Sequence, residues 1–311
     1  MKSQEDNSST ESCDSTPDSN VQKQKRLKDG SRFWAILIGI DEYPHKPLHG
    51  CVSDARSIQK YLNEDLGVPS DRIQCLLGER EPTPPTSSPT HANIISALYG
   101  LVDNPAIANG DNILVYFAGA GARYDAKEYL REGVNPVDAI CPIDRGADST
   151  YDISLREIDG VFSQISREKG ATMMNTLILD CGHAPAEDGS ARNMLPLPGH
   201  VIGPMLQGAH ERLAAYPPSP YVPAGPVIAY DWVPETSSHV ALGACQNDDL
   251  AHEVEDDMGA VRGVFTKAVV DSLRSGRYAS LAELIYGLPE LPGQTPYVTG
   301  DYQDEPIWYQ G

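Results

Sequence analysis

The chain lacks any apolar run near the ~20 residues that a bilayer-spanning helix requires. Its N-terminus lacks the apolar core of a secretory signal, which predicts that the protein is not exported. The six cysteines form no CxxC pair. That spacing argues against a zinc site and against a disulfide framework, and single scattered thiols suit a reducing compartment, here read as the cytoplasm. Positive charge is also scarce: 24 Lys and Arg stand against 44 Asp and Glu, for a net charge of −20. Such a surface repels nucleic-acid phosphate and anionic lipid, so neither nucleic acid nor membrane is an expected partner. It would attract basic peptides and cations.

With 311 residues, 40% of them hydrophobic, the chain can bury one large core. Residues 1–31 contribute little to it. They are rich in Ser, Asp, Glu, Gln and Lys, cannot offset the entropy of ordering, and are expected to form a disordered tail. Lys23, Lys25, Arg26 and Lys28 form a basic cluster there, read as a solvated charge run rather than a nuclear-import signal.

Phe33 to Ile40 is continuously apolar, as is Asn112 to Phe117 after its first residue, and Thr176 to Leu179 likewise. Unbroken rather than alternating apolarity predicts strands buried on both faces, as in a parallel sheet. Ile73 to Leu77 and Ser238 to Ala244 read as further strands, and Pro306 to Tyr309 as a closing edge strand. Helical spacing runs through Val52, Ala55, Ile58, Tyr61 and Leu62 over residues 51–65. Thr90 is placed to cap a helix reaching about Val102, and Ser154 with Glu157 fits a capping box ahead of a helix to Ile165. Val261 to Leu273 and Leu281 to Tyr286 read as two more helices. Strands alternating with helices predict an α/β fold with a mostly parallel central sheet and helices on both faces. Residues 185–237 are punctuated by proline and glycine, too long for an ordinary connection, and read as a surface excursion between two halves, 32–184 and 238–311.

In open parallel sheets function gathers beyond the carboxyl ends of the strands. Two strings lie there: Tyr116-Phe117-Ala118-Gly119-Ala120-Gly121 and Leu179-Asp180-Cys181-Gly182-His183-Ala184. They resemble the two catalytic loops of the caspase/metacaspase family of cysteine peptidases, which carry Phe-Ala-Gly-His-Gly and Asp-Ser/Cys-Cys-His-Ser-Gly. Other landmarks follow in the family's order: Gly50-Cys51-Val52-Ser53-Asp54-Ala55, Ile140-Cys141-Pro142-Ile143-Asp144, Ala244-Cys245-Gln246-Asn247-Asp248, Gly263-Val264-Phe265-Thr266 and Gln294-Thr295-Pro296. Residues 32–311 resemble a metacaspase-like domain of the fungal kind almost throughout. The resemblance implies the caspase-hemoglobinase fold, cleavage after Arg or Lys, a calcium requirement in active members and a monomer.

Against that pattern, Ala120 stands at the general-base histidine and Gly182 at the nucleophilic cysteine; Ala184 and Pro185 replace the Ser and Gly that follow. Alanine cannot move a proton and glycine cannot attack a carbonyl, so only binding and backbone stabilisation of an oxyanion remain. Cys181 and His183 are displaced candidates for the dyad, with a buried thiol and a structural hydrogen bond as their favoured roles. Cys245 opens a loop with no histidine beside it, and Cys51, Cys75 and Cys141 read as core or loop thiols. Asp54 and Asp180 match carboxylates that receive a basic side chain in active relatives; alternatively, each caps a helix or turn. Asp144, Asp148, Asp152 and Asp188 are candidates for a calcium site, although no self-contained loop motif supports them. Glu253, Glu255, Asp256 and Asp257 read as a solvated acidic run.

The sequence therefore predicts a catalytically inactive pseudopeptidase that binds a basic protein or peptide, or an active paralogue, in a regulated-death setting implied by the family. The rival is an active peptidase using Cys181, with Arg192 or Arg212 as self-processing sites. A third reading is an interaction domain with no surviving pocket.

Overall fold

A computed structural model describes residues 30–80, 84–125, 136–147, 150–170, 175–184, 191–217, 227–229, 232–246, 249–255 and 259–308. The tail up to residue 29 lies outside them, as do Asp148, Asp188, Asp256, Asp257 and Tyr309.

The predicted apolar runs form the centre of a six-stranded sheet. Its strands are β1 (Phe33–Ile40), β2 (Ile73–Gly78), β3 (Asn112–Ala118), β7 (Asn175–Asp180), β9 (Val240–Gly243) and β12 (Tyr297–Thr299), in the order β12-β9-β7-β3-β1-β2. Only β12 runs antiparallel to its neighbour. Every residue of β3, β7 and β9 is buried, so both faces of the sheet are covered. The fold is α/β with a mostly parallel central sheet, as the sequence predicts.

One group of helices contains α1 (Cys51–Lys60), which continues as a π-helical turn through Asp65, together with α5 (Val264–Ser275) and α6 (Leu281–Tyr286). The other contains α2 (His91–Asp103), α3 (Leu155–Lys169) and α4 (Ile202–Leu213). The caps read from sequence are present: Thr90 accepts from the Asn93 N–H and Ser154 from the Glu157 N–H. The carboxylate of Glu157 goes to Arg212 and Tyr99. A small sheet, β6-β5-β4-β8, sits beyond β3 and consists of β4 (Gly121–Tyr124), β5 (Val137–Ile140), β6 (Ile153–Ser154) and β8 (Asn193–Met194). A hairpin pairs β10 (Glu253–Glu255) with β11 (Val261–Gly263).

Three expectations are corrected. Residues 261–263 are a strand rather than the start of a helix, because they pair with β10, and α5 begins only at Val264. The edge strand of the central sheet is β12, and the described residues 306–308 of the expected strand form only a bridge, Pro306 with Ser280. The Ile307 N–H donates to the Ala279 carbonyl (2.9 Å), and pairing stops at Trp308, whose left-handed φ of 43° turns its ring onto Phe33 and Tyr61. The segment 185–237 is not confined to the surface either. Its described residues Ala191, Arg192, Asn193 and Met194 are buried, and α4 packs its apolar side on α3.

Candidate active site

In the register of the central sheet Ala118 pairs with Asp180, so β3 and β7 end side by side and their following loops are neighbours. Ala120 and Gly182 lie on those loops, fully buried. The Ala120 N–H donates to the Tyr43 hydroxyl (3.0 Å), which donates to the Cys141 carbonyl (2.9 Å). A side chain at position 182 has no room. Its Cβ would lie 2.6 Å from Cγ of Asn193 and closer still to that side chain's terminal atoms. Asn193 is anchored there by donating to the Ala184 carbonyl (3.0 Å) and accepting from the Ala251 N–H (3.2 Å).

The two displaced candidates do meet: Cys181 Sγ lies 3.8 Å from Nε2 of His183, with both side chains buried. Burial pushes the Cys181 thiol well above its ordinary range, and burial lowers His183. Both are therefore held neutral, opposite to the thiolate and imidazolium of an activated pair. Cys245 is likewise pushed up to about 12 by burial. Cys51, Cys75, Cys141, Cys181 and Cys245 are all free thiols.

Asp54 and Asp180 come together at the carboxyl edge of the sheet, but not around an open pocket. The guanidinium of Arg192 lies between them, 2.6 Å from Asp54 and 2.8 Å from Asp180. Glu253 on β10 completes the set at 3.1 Å. Arg192 is fully buried, and so are both aspartates. A buried charge is tolerated only when paired, and here one cation is shared by three carboxylates. Burial first, then the charge of Asp180, pushes Asp54 up to about 7 against the pull of Arg192. The cluster is roofed by Gly263, whose N–H donates to Asp54 (2.7 Å). A Cβ there would lie 2.5 Å from Nη1 of Arg192 and 2.7 Å from Oδ2 of Asp54, so only glycine fits.

The capping alternatives divide. Asp180 does cap: its Oδ2 accepts from the N–H (3.2 Å) and hydroxyl (2.6 Å) of Thr266 in the first turn of α5. Asp54 does not, because α1 begins at Cys51 and Asp54 lies inside its first turn. The free N–H groups at that end are taken by Asp41, from Cys51 (2.8 Å), and by Glu253, from Gly50 (2.8 Å). Glu253 is thus not part of a solvated acidic run. Sequence reasoning missed its role and that of Arg192.

The backbone of Arg192 is held as closely as its side chain. Its N–H donates to the Ala251 carbonyl (2.8 Å), and Ala191 bridges His252 in antiparallel register. Its carbonyl accepts two N–H groups, from Gly121 (3.2 Å) and Gly182 (3.1 Å). Next in the chain, the Asn193 carbonyl accepts from Nζ of Lys46 (2.7 Å), and Asn193 and Met194 pair with Gly121 and Ala122 of β4.

Of the calcium candidates, the two described ones, Asp144 and Asp152, are each engaged by other groups. Asp152 is buried and bound by Arg145 at 2.7 and 2.8 Å and by the Tyr124 hydroxyl at 2.6 Å. Asp144 accepts from the His91 N–H at the start of α2. Asp148 and Asp188 lie outside the described residues. Among the described residues, the acidic and thiol atoms that converge are those of Asp41, Cys51 and Glu253. Their carboxylates already serve the α1 terminus and Arg192, which leaves no set of oxygens for a hard cation.

Comparison with known proteins bears on both loops. A family model described as "Metacaspase, peptidase C14 domain" matches residues 34–187, a span that includes Ala120 and Gly182. Residues 34–187 thus resemble a metacaspase peptidase C14 domain. Metacaspase-1A of Aspergillus oryzae is 31% identical over 110 residues, 33% of this chain and 25% of the relative. Metacaspase-1A of Aspergillus fumigatus is 30% identical over 110 residues, 33% of this chain and 26% of the relative. The match thus spans about a quarter of those metacaspases' length. Protein GSU0716 from Geobacter sulfurreducens shares the fold, with a TM-score of 0.54 at 15% identity over 89% of this chain and 98% of that one. The chain beyond residue 187, outside that match, supplies Arg192, Asn193, Ala251, Glu253, Gly263 and Thr266 to the site.

Proposed function

We propose that this metacaspase-like domain binds rather than cuts. The observation that carries the reading is the pair of buried loops at Ala120 and Gly182. They retain the backbone N–H groups that would steady an oxyanion, but neither carries a side chain able to move a proton or attack a carbonyl. The space for a nucleophile at 182 is taken by Asn193. The acidic chain and its arginine-binding carboxylates favour a partner with exposed basic residues, either a peptide segment or an active paralogue, and a regulatory place in proteolysis or cell death. Free thiols throughout the described core suit the cytoplasm.

Cys181 beside His183 is the one arrangement that favours residual peptidase activity, and burial of both in neutral form opposes it. A panel of fluorogenic Arg and Lys peptides, incubated with and without millimolar calcium, separates the two. The expected result is no turnover above a buffer blank. Turnover that disappears in Cys181→Ala would replace the binding role with an enzymatic one.

A further inference from the structure

We propose that residues 191–194 are a built-in pseudosubstrate: the chain's own Arg192 occupies the basic-residue pocket and must withdraw before an arginine from another molecule can enter. This deepens the non-catalytic reading by naming what holds the cleft in the resting molecule.

The argument rests on how many independent contacts treat Arg192 as a bound ligand. Its side chain ends among Asp54, Asp180 and Glu253, contributed by α1, β7 and β10. Its N–H and the Ala191 bridge attach the chain at this point to Ala251 and His252 in a single antiparallel bridge. Its carbonyl receives two N–H groups, one from Gly182 at the nucleophile position in the loop after β7, and one from Gly121, the first residue of β4 and the residue after Ala120. The Gly121 bond belongs to the β4–β8 pairing, and the Gly182 bond is additional to it. Two donors converging on one carbonyl at the lost dyad is the arrangement of an acyl-transfer site with its acyl group in place. Lys46 and β4 then hold the chain beyond the arginine. Side chain, carbonyl and flanking backbone are thus held together, with β4 serving both the carbonyl and the residues that follow it.

A tethered occupant competes at an effective concentration of about millimolar. For a free peptide of micromolar intrinsic affinity, that lowers apparent affinity by about a thousandfold. The natural chain should therefore look closed to arginyl peptides, although the site that would bind them is built.

The experiment uses the full chain and two probes: agmatine, which carries a guanidinium on a four-carbon stem, and a fluorescein-labelled Ala-Ala-Arg amide. In Arg192→Ala, agmatine should raise the unfolding temperature in a saturable way, and the peptide should bind by anisotropy, with its citrulline analogue failing. The natural chain should show neither effect. Should Arg192→Ala not fold alone, agmatine should restore its near-ultraviolet circular dichroism. Arg192→Lys keeps a charge but loses the planar fork, and should bind the peptide at least tenfold more tightly than the natural chain. The proposal is overturned if Arg192→Ala responds to neither probe, if Arg192→Lys gains nothing, or if the natural chain binds the peptide as well as the variants do. Peptide cleavage in any of these samples would refute the non-catalytic reading instead, leaving the occupancy of the cleft to be judged by the binding data.

Discussion

Restoring a cysteine at position 182 should destabilise this protein rather than awaken it. The new Cβ would overlap the side chain of Asn193, which is itself fully buried and held by Ala184 and Ala251. Overpacking a tight core costs about 1–3 kcal/mol. Displacing Asn193 breaks two hydrogen bonds and leaves a buried carbonyl and a buried N–H without partners, at about 1–3 kcal/mol each. Allowing for partial relaxation, Gly182→Cys is expected to cost about 3–5 kcal/mol, a fall of roughly 6–20 °C in unfolding temperature. Asn193→Ala alone should cost about 2 kcal/mol through its lost hydrogen bonds. In the double variant the overlap is gone, so the two changes should couple by about 1–3 kcal/mol in the direction of mutual relief. Urea unfolding of the four proteins in the cycle measures this. Additive effects, or a neutral Gly182→Cys, would mean that Asn193 does not fill the nucleophile's space, and the account of the site would fail there.

Other consequences follow from the same cluster. Gly263→Ala should destabilise strongly, by about 3 kcal/mol or more, because its methyl enters the Arg192 ion cluster; unfolding free energy reads this directly. Asp54 has a folded pKa raised from 3.8 to about 7, so the folded state binds its proton more tightly and stability from this group falls as pH rises from about 4 to about 7. Asp54→Asn should flatten that part of the stability profile relative to the natural chain, and an unchanged slope would refute the assignment. Combining Ala120→His, Gly182→Cys and Asn193→Ala should give a protein that cuts itself after Arg192, because that carbonyl already lies on both N–H donors. Intact mass would show the break, and cleavage after Arg212 instead would contradict the pose.

Much of the scaffold was legible because burial on both faces leaves a mark on sequence. The unbroken apolarity of Phe33 to Ile40 and of Thr176 to Leu179 has no alternative reading at that length, and Thr90 and Ser154 announce their helices by local hydrogen-bonding chemistry. The loops at Ala120 and Gly182 followed from the ends of those strands. Arg192 and Glu253 were not legible in this way. A charged residue in a Pro- and Gly-rich stretch, or beside other acids, looks solvated, and two of the three carboxylates that hold Arg192, Asp54 and Glu253, lie more than sixty positions from it. One signal was available: two carboxylates, Asp54 and Asp180, at the ends of buried elements call for a buried cation. The edge strand was misplaced because apolar Trp308 is buried by turning inward rather than by extending.

The most direct test follows binding and cleavage in one cuvette. The natural chain and Arg192→Ala would each be mixed with an arginyl peptide carrying a fluorescein and a quencher on opposite sides of the arginine. Anisotropy reports capture, and dequenching reports a cut. The account predicts no signal from the natural chain, and a rise in anisotropy without dequenching from Arg192→Ala. Dequenching in either sample, abolished by Cys181→Ala, would contradict it and make this protein a peptidase.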